Sequence, residues 1–203
     1  MIRTIVFDLG NVLIDWNPRY LYRKLFDNEA DIEHFLDTVC TGPWNAQMDR
    51  GKPFAEAVAE LSAAQPDKAH LVRAWHDRWI ETIGGPITPT VDLLERLHDD
   101  GRHLVALTNW SAETFPLVRH ARAYSFLDRF EKIFVSGELR MVKPNDDIFL
   151  HLLEECDRAA GDCFFIDDSA ANIDTADRLG FQTHHFTSAD RLEDDLRRRG
   201  LLD

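Results

Sequence analysis

The sequence predicts an α/β fold: a parallel sheet covered on both faces by helices, with a helical block inserted after the first strand. Three observations predict it. Short, nearly continuous apolar runs recur along the chain, as strands buried on both faces require. Amphipathic segments closed by Gly alternate with these runs. The stretch from about Trp16 to Pro89 breaks the alternation, showing helical periodicity and no clear strand.

In chain order, "TIVFDLG" (4–10) is the first strand, with β-branched and aromatic residues stopped by Gly10. Later strands are expected in "HLVALTN" (103–109), "KIFVSG" (132–137), "CFFIDDS" (163–169) and, more weakly, "QTHHFT" (182–187). "TVDLLERLHDDG" (90–101), "NDDIFLHLLEECD" (145–157) and "SAANIDTADRLG" (169–180) carry apolar residues at helical spacing between them. The inserted block reads as the helices "RYLYRKLF", "DIEHFLDTV", "FAEAVAELSA" and "AHLVRAWHDRWIETI". Gly42–Pro43, Gly51–Pro53 and Gly84–Gly85–Pro86 punctuate it. The tail "RLEDDLRRRG" is expected to form a solvated terminal helix.

Composition bounds the function. The chain has 203 residues and a formal net charge of -13. An acidic surface repels phosphate backbones and anionic lipid, so neither nucleic acid nor a membrane is expected as a partner. Three cysteines without a CxxC spacing suit a reducing cytosol better than a disulfide framework or a zinc site. No signal peptide is visible at the start, and a cytoplasmic location is expected. Monomer and dimer both remain open.

Each expected strand ends in a different polar group. The first ends at Asp8, the second at Thr108 and Asn109, and the fourth at Asp167 and Asp168, while Lys143 follows the third. In a parallel sheet these groups meet at one edge, where α/β proteins bind their ligands. Carboxylates from separate strands form an all-oxygen site suited to Mg²⁺. A carboxylate beside the metal can attack phosphorus, and Lys143 can neutralise the transferring group. Taken singly, Asp8 could merely terminate a strand, Asp167–Asp168 could cap a helix, Lys143 could be a surface turn residue and Thr108 a plain strand residue. The whole set at successive strand ends favours a site. Trp16, Trp44, Trp75 and Trp79 are expected to pack rather than bind, and Trp110 is open between the two. Arg19, Arg23 and Arg50 are expected on solvated faces, and His184 and His185 in structural or exposed roles.

The motifs "FDLGNVL" (7–13), "LTN" (107–109), Lys143 in "MVKPN" and "IDDSAANI" (166–173) together resemble the haloacid dehalogenase superfamily over almost the whole chain. The resemblance implies a Rossmann-like three-layer core of residues 1–15 and 89–203, and a small helical C1-type cap of residues 16–88. "DLGN" and the stretch from Trp44 to Gly51 resemble a subgroup that includes bacterial α-glucose-1-phosphate phosphatases. By resemblance Asp8 is the nucleophile and a Mg²⁺ ligand, and Gly10 offers its backbone carbonyl to the metal. Thr108 and the Asn109 amide bind the phosphoryl group, and Lys143 pairs with Asp8 and the phosphate. Asp168 is the main carboxylate ligand of the last motif, with Asp167 beside it as a second ligand or acting through water, and Asn172 supports this loop. The implied activity is a Mg²⁺-dependent phosphatase of a small phosphorylated metabolite such as glucose 1-phosphate.

One departure matters. Most phosphatases of this resemblance carry an acid two positions after the nucleophile, and this chain has Gly10 there. Four readings follow. Another group serves, Asp15 first or Asp49 from the cap. Alternatively, the leaving oxygen is a weakly basic anomeric one, or the electrophile is a 2-haloacid and needs no metal. Last, the protein only binds a phosphorylated ligand. The Asp167–Asp168 pair favours the metal-dependent phosphatase over the dehalogenase.

Overall fold

The opening apolar run forms a strand, β1 (Thr4–Phe7), with all four side chains buried. A tight turn leads to β2 (Ile14–Trp16) and then to five helices: α1 (Arg19–Tyr22), α2 (Glu29–Thr38), α3 (Gly42–Asp49), α4 (Phe54–Ala64) and α5 (Ala69–Asp77). Next come β3 (Ile83–Pro86), α6 (Thr88–Asp99), β4 (His103–Thr108), α7 (Phe115–Arg119), β5 (Lys132–Val135) and the single turn α8 (Ser136–Leu139). The chain closes with α9 (Asp146–Cys156), β6 (Cys163–Asp167), α10 (Ala170–Leu179), β7 (Gln182–His185) and α11 (Ala189–Arg198). The computed structural model describes residues 1–203.

Helix ends follow local chemistry. Asn28, Thr41 and Ser188 accept backbone N–H bonds at the starts of α2, α3 and α11. Gly180 ends α10 at φ 91°, a conformation that costs glycine nothing.

The main sheet is parallel throughout, in the order β5-β4-β1-β6-β7. The chain builds outward from β1 through β4 to β5, then returns to the other side with β6 and β7. That reversal opens a crevice beyond the carboxyl end of β1. Because strand side chains alternate, Val6 faces one core with Val105, Phe149 and Phe165. Ile5 and Phe7 face the other, which runs without interruption into the inserted helices through Tyr22, Phe35 and Trp75. The helical block is therefore held to the sheet by shared apolar burial, at ~1.5–3 kcal/mol for each large side chain removed from water.

Several expectations are corrected. The region from Trp16 to Pro89 does hold strand: Trp16 lies in β2, and β3 pairs with β2 antiparallel. Gly84, Gly85 and Pro86 read as breakers because this pairing is made across some 70 residues of chain that no local pattern reports. "AHLVRAWHDRWIETI" is not one helix: α5 stops at Asp77, a 3₁₀ turn (Trp79–Thr82) follows, and Ile83 enters β3. Gly42–Pro43 does stand at a boundary between helices, but it opens a further helix, α3, that the periodicity did not report, since proline fits a helix's first turn. The strand expected over 132–137 ends at Val135, and Ser136–Gly137 begin α8. The tail helix is not merely solvated. Leu192 and Leu196 of α11 are buried, and Asp195 ties the helix to His184 of β7.

Candidate active site

The turn after β1 aims a carboxylate into the crevice. The Leu9 carbonyl accepts from the N–H groups of Leu13 and Ile14, and the Asn11 N–H donates to the Ile14 carbonyl at 2.7 Å. Asn11 takes φ 54°, a region asparagine tolerates better than most residues. Asp8 follows the last residue of β1, its N–H bonded to the Ile166 carbonyl of β6 at 2.8 Å and its Oδ1 accepting from the Leu9 N–H at 2.7 Å.

Lys143 Nζ stands 2.9 Å from Asp8 Oδ1, 2.7 Å from Asp167 Oδ2 and 2.7 Å from the Leu107 carbonyl. An ammonium has three donors, and all three are used. The Asn109 side chain fixes this arrangement: Nδ2 donates to the Lys143 carbonyl and Oδ1 accepts from the Lys143 N–H, each at 2.9 Å. Its side-chain amide is therefore occupied, which leaves the Asn109 backbone N–H for any ligand contact. Thr108 is buried at the same strand edge. Asp167 is fully buried, and both its oxygens are taken. Ser169 N–H and Asn172 Nδ2 donate to Oδ1 at 2.8 and 2.9 Å, and Asn172 Nδ2 also reaches Oδ2 at 3.0 Å beside Lys143.

Asp168 differs from its neighbour in being exposed. Carboxylate oxygens of Asp8, Asp167 and Asp168 lie within 4.8 Å of one another. One ammonium against three carboxylates leaves an excess of negative charge that suits a small divalent cation. Burial pushes Asp8 up to about 7, against the attraction of Lys143. Partial enclosure of its carboxyl, and then the charge of Asp167, raise Asp168. For Lys143 burial works downward, but Asp167 and Asp8 outweigh it and its ammonium is held above the usual range. The free oxygens in this group belong to Asp8 and Asp168, and the nearby Gly10 carbonyl accepts no backbone hydrogen bond.

Above the strand ends is a cavity of about 210 Å³. Gly10, Asn109, Trp110, Ser111 and Thr114 line it from the sheet side. Trp16, Asn45, Asp49, Phe54 and Trp79 line it from β2 and the inserted segment. Trp44 and Trp75 pack edge to face at 5.5 Å, as expected of core residues. Trp16 and Trp79 go beyond that expectation by forming cavity wall, and Trp110, its ring tilted 53° against Trp79 at 5.6 Å, joins them.

Asp15 is not among the lining residues. Its carboxylate accepts from Tyr20 Oη at 2.7 Å, against Gly84. Arg19 and Arg23 pair with Glu33 and Glu29, away from the cavity. His184 bonds Asp195, and His185 Nε2 braces the Asp168 carbonyl at 3.0 Å. The contributions of Asn45, Ser111, Thr114 and Ser136 carry no signal in the sequence beyond proximity to the motifs.

The profile of the haloacid dehalogenase-like hydrolases matches residues 2–180 of this chain. The chain belongs to that family. It is 26% identical over 187 residues to a sesquiterpene phosphatase of Aspergillus oryzae, covering 92% of this chain and 91% of that one. It is 23% identical to a D-ribitol-5-phosphate phosphatase of Bacteroides thetaiotaomicron, covering 90% and 91%. Among solved structures it is similar to a Bacteroides thetaiotaomicron family enzyme in complex with magnesium and inorganic phosphate. That likeness has a TM-score of 0.69 and 25% identity, and covers 92% of this chain and 95% of that one. The chain is therefore a hydrolase of this family, and two of the relatives it resembles are named phosphatases. No helix is long and apolar enough to cross a membrane.

Proposed function

We propose that this chain is a Mg²⁺-dependent phosphatase that hydrolyses a small phosphorylated metabolite through an aspartyl phosphate on Asp8. The observation that carries the reading is Lys143 Nζ held between Asp8 and Asp167 at 2.9 and 2.7 Å, with exposed Asp168 alongside. Asp8 Oδ attacks phosphorus, and the ester oxygen departs. Lys143 balances charge on the phosphoryl oxygens, and the Thr108 hydroxyl and Asn109 backbone N–H hold them. Asp8, Asp168 and the Gly10 carbonyl would hold Mg²⁺, with Asp167 behind them because its oxygens are already satisfied. When bound, the ion supplies charge neutralisation at the transferring group.

Residues 16–88 act as a cap over the core of residues 1–15 and 89–203. Its aromatic wall accepts the C–H face of a sugar phosphate such as glucose 1-phosphate, or the hydrocarbon body of an ester like that of the fungal relative. The protein works in the cytoplasm as a monomer or dimer.

The test is hydrolysis of p-nitrophenyl phosphate and of a panel of sugar, polyol and isoprenoid phosphates, with Mg²⁺ and with EDTA. Turnover should need Mg²⁺ and vanish in Asp8→Asn. Turnover that survives EDTA, or is unchanged in Asp8→Asn, refutes the reading. Chloride release from chloroacetate in EDTA would assign the dehalogenase instead.

A further inference from the structure

We propose that Asp49, on the inserted helix α3, is the proton carrier of this site and takes the place of the acid missing at Gly10. The inference rests on the phosphatase reading above. Among the ten residues lining the cavity, Asp49 is the only one with an ionisable side chain. It shares the cavity with Gly10 and Asn109, which follow Asp8 and Thr108 closely in the chain, although Asp8 and Thr108 do not themselves line the wall. Asp15, nearer in sequence, is tied to Tyr20 and absent from the wall.

The position of Asp49 is braced from the core. Its backbone carbonyl accepts from Ser136 Oγ at 2.7 Å, and the same hydroxyl accepts from the Trp110 N–H at 2.9 Å. One buried hydroxyl thus joins the end of α3 to the loop that follows Thr108 and Asn109. Two residues further on, Gly51 packs so closely that a Cβ there would lie 2.9 Å from the Gly137 carbonyl. The carboxyl itself makes one side-chain hydrogen bond, from Asn45 Nδ2 to Oδ2 at 3.1 Å, and no ion pair, so its other oxygen is free to exchange a proton. Burial pushes it up to about 7, against the charge of Arg50, which keeps part of the population protonated near neutral pH.

In the first step the Asp8 oxygen forms a bond to phosphorus and the bond from phosphorus to the alcohol oxygen breaks. That oxygen takes the proton of the Asp49 carboxyl and leaves as the alcohol. In the second step the Asp49 carboxylate removes a proton from water as the water oxygen bonds to phosphorus. The Asp8–phosphorus bond breaks, inorganic phosphate departs, and Asp49 is protonated again. The consequence for substrate is direct: with an acid in place, the leaving group need not be a weakly basic anomeric oxygen. Phosphate esters of ordinary primary alcohols fall within reach of this site.

The test is pre-steady-state hydrolysis of p-nitrophenyl phosphate with Mg²⁺ by wild type and Asp49→Asn, a near-isosteric change. p-Nitrophenolate leaves without a proton, so the variant should release one equivalent in a burst. Its steady rate should then fall by ~10²–10⁴-fold, with a phosphate adduct on Asp8 seen by intact mass. Asp49→Glu should keep part of the rate. Gly10→Asp has open space, since nothing lies within 4 Å of a Cβ there, and should restore at least ~10-fold of turnover when added to Asp49→Asn. A folded Asp49→Asn protein that turns over within ~3-fold of wild type, with no burst, overturns the assignment and leaves the phosphatase reading standing. An inactive wild type removes both.

Discussion

Replacing Lys143 by Met removes the only cation in a buried cluster and keeps most of the side-chain volume. Nζ makes three hydrogen bonds of 2.7–2.9 Å, two of them to carboxylates. Breaking a buried ion pair by deleting one partner costs ~3–5 kcal/mol, because a charge is left behind without compensation. For a chain of this length ~1 kcal/mol lowers Tm by roughly 2–4 °C, so the melting point should fall by roughly 6–20 °C. The two carboxylates share the damage unequally. Asp167 keeps its bonds from Ser169 and Asn172, whereas Asp8 keeps only the Leu9 N–H. Asp8 is then the group that takes up a proton, and a protonated Asp8 is no nucleophile.

The sign with pH follows. In the variant the folded-state pKa of Asp8 rises further above its unfolded value of 3.8 than the value of about 7 it has beside Lys143. The folded form then binds more protons than the unfolded one above about pH 4, and stability declines as pH rises through that window. The deficit against wild type should be larger at pH 8 than at pH 5. Thermal denaturation by circular dichroism at both values measures it, with Mg²⁺-dependent hydrolysis read in parallel. A deficit below ~2 °C at pH 8, in a variant that remains active, would refute the charge accounting.

Gly137→Ala tests the docking of α8 on the loop after β4. Its Cβ would lie 2.5 Å from the Ala112 nitrogen and 2.8 Å from the Trp110 carbonyl, both backbone atoms that cannot swing aside. We expect a loss of ~1–3 kcal/mol in urea denaturation and a drop in turnover as Trp110 is displaced. Unchanged values of both would show that the loop yields freely. Asp49 makes a separate prediction at equilibrium. Its folded pKa, raised from 3.8 to about 7, contributes stability that is present below about 3.8 and lost as pH rises through about 7. Asp49→Asn should therefore gain stability relative to wild type between pH 5 and pH 8, and a flat difference across that range would count against a half-buried, proton-holding carboxyl.

The groups at the sheet edge can be read along the chain. Asp8, Thr108 and Asp168 are legible because a buried parallel strand announces itself by an unbroken apolar run, and the residues that close the run must lie at the edge; Lys143, in the loop beyond α8, ends no run and is legible only through the motif around it. The alternation of runs and amphipathic helices likewise fixes the α/β class, since both periodicities are local. Tertiary structure alone decided the division of labour. Adjacent Asp167 and Asp168 differ because only one of them meets Lys143 and Asn172, and that is a contact between β6, α10 and the loop after α8. Asp15 lost and Asp49 gained a place in the cavity for the same kind of reason. Pairing of β2 with β3 turned Asp15 toward Tyr20, while the Ser136 hydroxyl drew the end of α3 onto the loop beyond β4. Those contacts join residues far apart in the chain. Their energies depend on distances set only once the sheet and the helical block have packed together, so no pattern along the sequence carries them.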